Sequence, residues 1–321
     1  MTRSLVPSFV RAAFFGLTVA FAIPVFAEYQ SQSIRLVVPF PAGGLADVLA
    51  RAIAQPLSQA LGQPVLVENK PGADGLIAGE LVARAAPDGH TLLFGGTSGM
   101  NYAPIVHLKP PYDPVTSFSP IGIICDTAFY LYVPEALPAR SVSQLIALAR
   151  AQPGAMSYGS ATAFSIVASL QFAQGANLQM VSVPYKGEPL MLPDLVAGRL
   201  QFSIASGGAL ALVKSGGLRV LATSLPGRVL PNVPTFSEAG IRSVQVISWS
   251  GLFGPAGMPP EVVERLSREL RAVLSQPELR ERFELLGLRM RPSTPVELSA
   301  FVKEQHGYWR QGLDAAGIKA Q

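Results

Sequence analysis

The feature that most restricts the fold is a recurring triplet: a short β-branched run, a tight loop of proline and glycine, then apolar residues at helical spacing. Ile34-Arg-Leu-Val-Val38 ends at Pro39, and beyond the turn Ala46 to Leu61 carries its apolar residues along one helical stripe. Val65-Leu-Val67 is followed by Pro71-Gly-Ala-Asp-Gly75 and a helix through Ala85, and Thr91-Leu-Leu-Phe94 then enters another glycine loop. Short strands alternating with helices pair in parallel, because each helix is a crossover back to the same sheet edge. The pattern predicts a doubly wound α/β sheet.

A proline-rich stretch, Lys109 to Pro120, interrupts the rhythm and leads into the apolar run Ile121 to Val133, which reads as one strand crossing into a second domain. There the alternation resumes: a helix over Ser141–Ala151, a strand at Met156–Tyr158, a helix over Thr162–Gln174, a strand at Gln179–Pro184, further short elements, and a strand at Leu218–Thr223. After Pro231-Asn-Val-Pro234 come a strand at Val244–Leu252 and two or three helices from Pro259 onward, without strand partners of their own. They are expected to return to the first domain. A chain of 321 residues accommodates about two domains. The expected division is lobe 1 over 28–124 and 226–321, and lobe 2 over 125–225. Two α/β lobes joined by two crossings form a cleft, with the ligand crevice outside the carboxyl ends of the strands, which favours a clamshell that closes on a solute.

The first residues stand apart. Arg3 and Arg11 occur with no acid, Ala12 to Val25 is apolar, and Val25-Phe-Ala27 puts a small residue before Glu28, which reads as a signal peptide over 1–27. A membrane anchor competes with this reading, but the run is shorter than the ~20 residues a bilayer needs and contains Pro24. No cysteine near the cut can carry a lipid, so the mature chain is expected free in solution, and with no twin arginine present export is expected to be of the unfolded chain. Cleavage lowers the net charge from +4 to +2. With no Lys/Arg run longer than two residues, nothing points to nucleic acid. With 49% hydrophobic and 14% charged residues, the chain has too much apolar surface to remain disordered. The lone cysteine, Cys125, excludes an intramolecular disulfide and sits in an apolar run, where it reads as a small buried hydrophobe.

Two loops carry the candidate chemistry. Pro39-Phe40-Pro41-Ala42-Gly43-Gly44-Leu45-Ala46-Asp47 joins a strand to a helix; its glycines let a ligand approach the backbone, and the open N–H groups of the helix's first turn favour a carboxylate or phosphate. A plain tight turn explains the same glycines. Tyr158-Gly-Ser160-Ala-Thr162-Ala163 is a second strand-to-helix turn, whose Ser160 and Thr162 are ligand donors or simply helix caps. Neither loop has the spacing of a dinucleotide or phosphate loop, so no cofactor is expected. His90, His107 and His306 lie in dissimilar contexts, without metal-ligand spacing. Ser98, in Gly96-Thr-Ser-Gly99, lacks the second glycine of a nucleophile elbow, which leaves a serine hydrolase only as a remote alternative.

Taken in order, several strings resemble the extracytoplasmic solute receptors of tripartite tricarboxylate transporters, the Bug or TctC family. They are Pro39 to Asp47, Val67-Glu-Asn-Lys-Pro-Gly-Ala-Asp-Gly75, Ala85-Ala-Pro-Asp-Gly-His-Thr-Leu-Leu93, Tyr112-Asp-Pro-Val115, Val183-Pro-Tyr-Lys-Gly187, Asp194-Leu-Val-Ala-Gly198, Pro231-Asn-Val-Pro-Thr235 with Glu238-Ala-Gly240, and Trp249-Ser-Gly-Leu-Phe-Gly-Pro-Ala-Gly257. The resemblance spans essentially the whole mature chain. It implies a periplasmic binding protein of the type II fold that performs no chemistry and delivers a small carboxylate to membrane permease subunits. A monomer is expected; a sensor signalling to a histidine kinase is the alternative. It also implies ligand contacts from Phe40, Ala42, Gly43, Gly44 and Asp47 in the first loop, from Ser160, Thr162, Ala163 and Phe164 in the second, and from Asp194.

The sequence departs from the family pattern within those loops. Ala42, Leu45 and Ala46 replace positions that usually read Pro, Pro and Thr/Ser; Ala161, Ala163 and Phe164 stand in the second turn, where a His is absent; and Ala205-Ser-Gly-Gly208 replaces a polar Asp-Asn stretch. A polar ligand group buried without a partner costs about 1–3 kcal/mol. The expected ligand is therefore a monocarboxylate or aromatic acid rather than a citrate-like one.

Overall fold

The computed structural model describes residues 32–225, 230–315 and 317–320, so the signal peptide read at 1–27 lies outside the described residues. The strands are β1 Ile34–Val38, β2 Val65–Asn69, β3 Thr91–Gly96, β4 Phe118–Thr127, β5 Phe129–Pro134, β6 Ser157–Ser160, β7 Val181–Pro184, β8 Phe202–Ser206, β9 Leu218–Thr223, β10 Trp249–Pro255 and β11 Leu288–Met290. The α-helices are α1 Leu45–Leu61, α2 Leu76–Ala83, α3 Ala103–Val106, α4 Val142–Ala151, α5 Ala163–Gly175, α6 Glu188–Val196, α7 Leu210–Lys214, α8 Pro260–Leu274, α9 Pro277–Glu284 and α10 Pro295–Ala315. They build two sheets, ordered β11-β4-β10-β3-β1-β2 and β7-β6-β8-β5-β9.

The triplets at the start of the chain fold as their sequence dictates. β1 pairs in parallel with β2 and β3. Helix α1 buries Leu49, Ile53, Leu57 and Leu61, one turn apart, and ends where Gly62 turns left-handed at φ 72° and returns its N–H to Ser58. The expectation of a parallel sheet fails beyond β3. β10 runs antiparallel to both β3 and β4, and β11 runs antiparallel to β4, so the sheet is mixed. The cause is topological: β10 arrives from the second sheet and not through a crossover helix, so nothing forces it to run parallel.

The apolar run 121–133 is two strands, not one. The chain leaves the first sheet after Thr127 and enters the second at Phe129, and between them the Ala128 N–H donates to the Gly287 carbonyl at 2.7 Å. Both strands bury both faces, so hydrophobicity carries no mark of the break. The expected strand Val244–Leu252 begins only at Trp249. The N–H groups of Gln245 and Ile247 go instead to the side chains of Gln171 and Gln305, so the segment is extended without being paired. The return crossing runs beside the outgoing one: Thr127 N–H donates to Ser248 O at 2.7 Å, and Ser224 N–H to Phe129 O at 2.7 Å.

Each sheet is covered on both faces. Leu49, Ile53 and Leu57 of α1 and Leu266, Leu270 and Val273 of α8 form one core against the first sheet; Leu76 and Val82 of α2 pack with Trp249 and Phe253 on the other face. On that second face Asp126, 1% exposed, lies 3.3 Å from Arg289 and 3.2 Å from Arg291, whose guanidinium sits 4.1 Å from the Phe301 ring centre. The second sheet buries Phe164, Val167 and Phe172 of α5 with Leu145 of α4. Helix α10 serves both cores. Leu298 and Val302 pack against the first sheet, whereas Trp309 and Leu313 join the second-sheet core together with Phe236, Ile241 and Val246. Gly312 permits that approach, since a Cβ there would stand 2.5 Å from Val167. Trp309→Ala is predicted to reduce unfolding free energy by about 3–5 kcal/mol in denaturant titration, because Trp309 is wholly buried.

Candidate functional site

Where β1 ends, the chain cannot continue straight into α1, and the loop 39–44 turns it. Gly43 takes φ 81°, a conformation that side chains resist, and this aims its N–H at Asp47 Oδ2, 2.9 Å away. Asp47 is 3% exposed, yet its charge is fully met. Arg51 Nε donates to both oxygens at 3.0 Å, and Asn69 Nδ2, from the end of β2, donates to Oδ1 at 2.9 Å. Asn69 also donates to the Phe40 carbonyl at 3.0 Å and accepts from Arg51 Nη2 at 3.1 Å. The Arg51 hydrogen bonds, then those of Gly43 and Asn69, bring the Asp47 pKa from 3.8 to about 2.

This arrangement separates holding from binding. Asp47 spends its oxygens on the loop and on α1 itself, with Arg51 balancing its charge. Among the described residues the first-turn N–H groups of Leu45, Ala46 and Asp47 have no acceptor, and the loop above them is exposed. A 17-residue helix concentrates partial positive charge at such an end, so the end accepts an anion.

Beneath it lies a cavity of about 320 Å³. Its mouth is formed by Phe40, Pro41, Gly44, Leu45 and Ala46, and its walls come from Leu49, Phe94, Leu288 and the ends of β3, β4 and β10. No charged side chain lines it. Thr97 is committed, accepting the Trp249 N–H at 2.9 Å, whereas the hydroxyls of Ser98, Thr127 and Ser248 have no protein partner among the described residues and can serve a ligand. No histidine borders Ser98 in this lining. Among the described residues no three His, Cys, Asp or Glu gather as a metal site requires.

The second-lobe residues stand elsewhere. Ser160 closes β6, and Thr162 caps α5: its Oγ1 accepts the Ser165 N–H at 3.1 Å, while Ser165 Oγ accepts the N–H groups of Ala161 and Thr162 at 2.8 Å. Those bonds take up three backbone donors and leave the N–H groups of Ala163 and Phe164 at the helix start without acceptors among the described residues. The Phe164 ring is buried, 4.2 Å from that of Phe129. Asp194 accepts from Tyr185 Oη at 2.6 Å and from Arg199 Nε and Nη2 at 2.9 and 2.6 Å, so its pKa falls, first through Tyr185 and then Arg199. Of the ten sequence candidates, Phe40 and Gly44 line the cavity, Ala42 and Gly43 flank its mouth, and Asp47 braces it from behind. Ser160, Thr162, Ala163, Phe164 and Asp194 belong to the second sheet and do not line it. Sequence reasoning missed Arg51, Asn69, Thr127, Ser248 and Leu288; only Asn69 lay in a string already singled out.

Two α/β sheets joined by paired crossings, with an anion-accepting helix start at the end of one sheet, define a periplasmic-binding-protein-like clamshell. Within that class the chain belongs to the tripartite tricarboxylate transporter receptor family (TctC), whose sequence profile matches residues 49–317. This is a family of periplasmic receptors that serve membrane transporters. The chain is 35% identical over 295 residues to the UPF0065 protein in the tcbD-tcbE intergenic region of Pseudomonas sp. (strain P51), covering 88% of this chain and 86% of that one. It is 31% identical over 318 residues to Protein BugT of Bordetella pertussis, covering 95% and 96%. Among solved structures it resembles R. palustris Rpa4515 with adipate (TM-score 0.76, 31% identity, 91% and 99% covered). Periplasmic binding protein BugD is similar too (TM-score 0.72, 31% identity, 91% and 99%). So is MatC from Rhodopseudomonas palustris with bound malate (TM-score 0.70, 30% identity, 88% and 98%).

The site implies a pH dependence. The Asp47 pKa is depressed on folding, so its stabilisation is complete above about pH 4 and is lost as pH falls through about 2. An ordinary carboxylic ligand takes up its proton first. Calorimetry is therefore predicted to show affinity falling with the ligand's own pKa, whereas Asp47→Ala weakens binding throughout that range. Gly43→Val removes the left-handed turn, and ligand-induced stabilisation should disappear while the far-UV spectrum is retained.

Proposed function

We propose that this chain captures a small carboxylated organic acid in the periplasm and presents it to the permease subunits of a tripartite tricarboxylate-type transporter, without performing chemistry on it. The observation that carries this reading is the start of α1, whose unpaired N–H groups open onto a cavity lined by no charged side chain. In this reading Phe40, Ala42, Gly43 and Gly44 receive one carboxylate, and closure brings Ser160, Thr162, Ala163 and Phe164 over it from the other lobe. Asp47 and Asp194 hold those loops in place rather than touching the acid. In this reading the lobes divide at the paired crossings, Ala128 on the way out and the segment before Trp249 on the way back, a few residues beyond the expected 124/125 and well beyond 225/226.

Adipate and malate in two relatives are dicarboxylates. Here the apolar walls favour an acid with one carboxylate and an aliphatic or aromatic body, since a second carboxylate in the cavity would lose water without meeting a cation. A thermal-shift screen of benzoate, hexanoate, adipate, malate and citrate tests this. A ligand at about 100-fold over its Kd should raise Tm by about 5 °C. Monocarboxylates are expected to produce the shift, and a shift with citrate or dicarboxylates alone contradicts the ligand class. The exported protein should be a monomer beginning at Glu28, as N-terminal sequencing and light scattering would report. Among the described residues no helix is long and apolar enough to cross a membrane.

A further inference from the structure

The cavity floor is made of small residues from three adjacent strands. Ser250 of β10 stands opposite Gly96 of β3 on one side and Cys125 of β4 on the other, and paired positions in an antiparallel sheet present their side chains to the same face. One row deeper on that face, Leu252 stands opposite Phe94, both buried and large. Bulk thus stops one row short of the strand ends, and α1 roofs the space with Leu49.

Gly96 keeps the floor low. A Cβ there would stand 2.7 Å from the Trp249 carbonyl oxygen and 3.4 Å from Ser250 Oγ, so no larger residue fits without moving backbone. Cys125 is wholly buried beside Ser250, and burial pushes its thiol pKa up, so the floor carries no charge. Leu288, on the edge strand β11, stands 3% exposed as the far wall.

We propose that this recess, floored by Gly96, Ser250 and Cys125 and walled by Leu49, Phe94 and Leu288, receives the apolar body of the acid while its carboxylate stays at the start of α1. Ser250 and Cys125 then set how long or wide that body is, and Leu288 sets its reach toward the sheet edge. The inference rests on the carboxylate-capture reading and goes beyond it by assigning the selecting residues. Among the described residues no charged group lines the recess to meet a second carboxylate, and its polar lining is confined to hydroxyls. The lining suits a saturated or aromatic body.

The test is calorimetry of the full mature chain with acetate, hexanoate, benzoate, 2-naphthoate and adipate. The wild type is expected to bind hexanoate or benzoate about tenfold or more tightly than acetate, the discrimination an apolar pocket gives. Ser250→Leu raises the floor and should cut the benzoate-to-acetate affinity ratio by about tenfold. Leu288→Ala removes the far wall and should raise the naphthoate-to-benzoate ratio by a comparable factor, which keeps the proposal testable even if the leucine disrupts packing. If both ratios stay at the wild-type value in variants that melt cooperatively, the recess does not hold the ligand. Tight binding of adipate alone overturns the recess as an apolar subsite while leaving carboxylate capture standing. If none of the acids binds the wild type, carboxylate capture fails and the recess fails with it.

Discussion

Asp47 lies buried at the first turn of α1, and its two oxygens take the Gly43 N–H, the Arg51 guanidinium and the Asn69 amide, so three segments meet at one charge. Asn69 adds a bond to the Phe40 carbonyl, which ties the loop to the end of β2 as well as to its own helix. A loop rich in glycine would otherwise sample many conformations. The carboxylate selects the one in which the start of the helix faces outward with its N–H groups open. The charge of Asp47 is thus met inside the protein, and the partial positive charge of the helix start is left unanswered, as the proposed capture of an anion requires.

The second sheet reaches the same end by another route. Ser165 and Thr162 satisfy one another's backbone donors at the start of α5 and fix that turn without any charge, while Asp194 fixes the neighbouring Tyr185 from the side. The sheets are coupled by two adjacent crossings and by α10, which buries its first half in one core and Trp309 and Leu313 in the other. A helix shared in this way ties the two sheets together.

Much of this was legible in the chain, and the rest was hidden for identifiable reasons. The strand-loop-helix triplets at Ile34, Val65 and Thr91 declared themselves because their periodicity changes at each Pro/Gly turn, and Thr162 caps its helix as its hydroxyl suggests. The break at Ala128 left no trace, since residues on both sides are buried on both faces. β11 is three residues long, too short for any periodicity to register. The glycine turn of the first loop was readable, but the partners of Asp47 were not, because Arg51 and Asn69 meet its carboxylate only once β2 is laid beside β1. The cavity floor was equally silent. Gly96, Cys125 and Ser250 are far apart in sequence, and only the register of three strands sets them in one row.

The central claim is that the cleft captures an organic acid by its carboxylate. Native mass spectrometry of the protein purified from the periplasm without unfolding, followed by release and accurate-mass analysis of whatever it carries, bears on that claim most directly. The account predicts one small molecule per chain, bearing a carboxylate and an apolar body, that leaves when the protein is denatured. A bound cation, sugar or nucleotide in its place would contradict it.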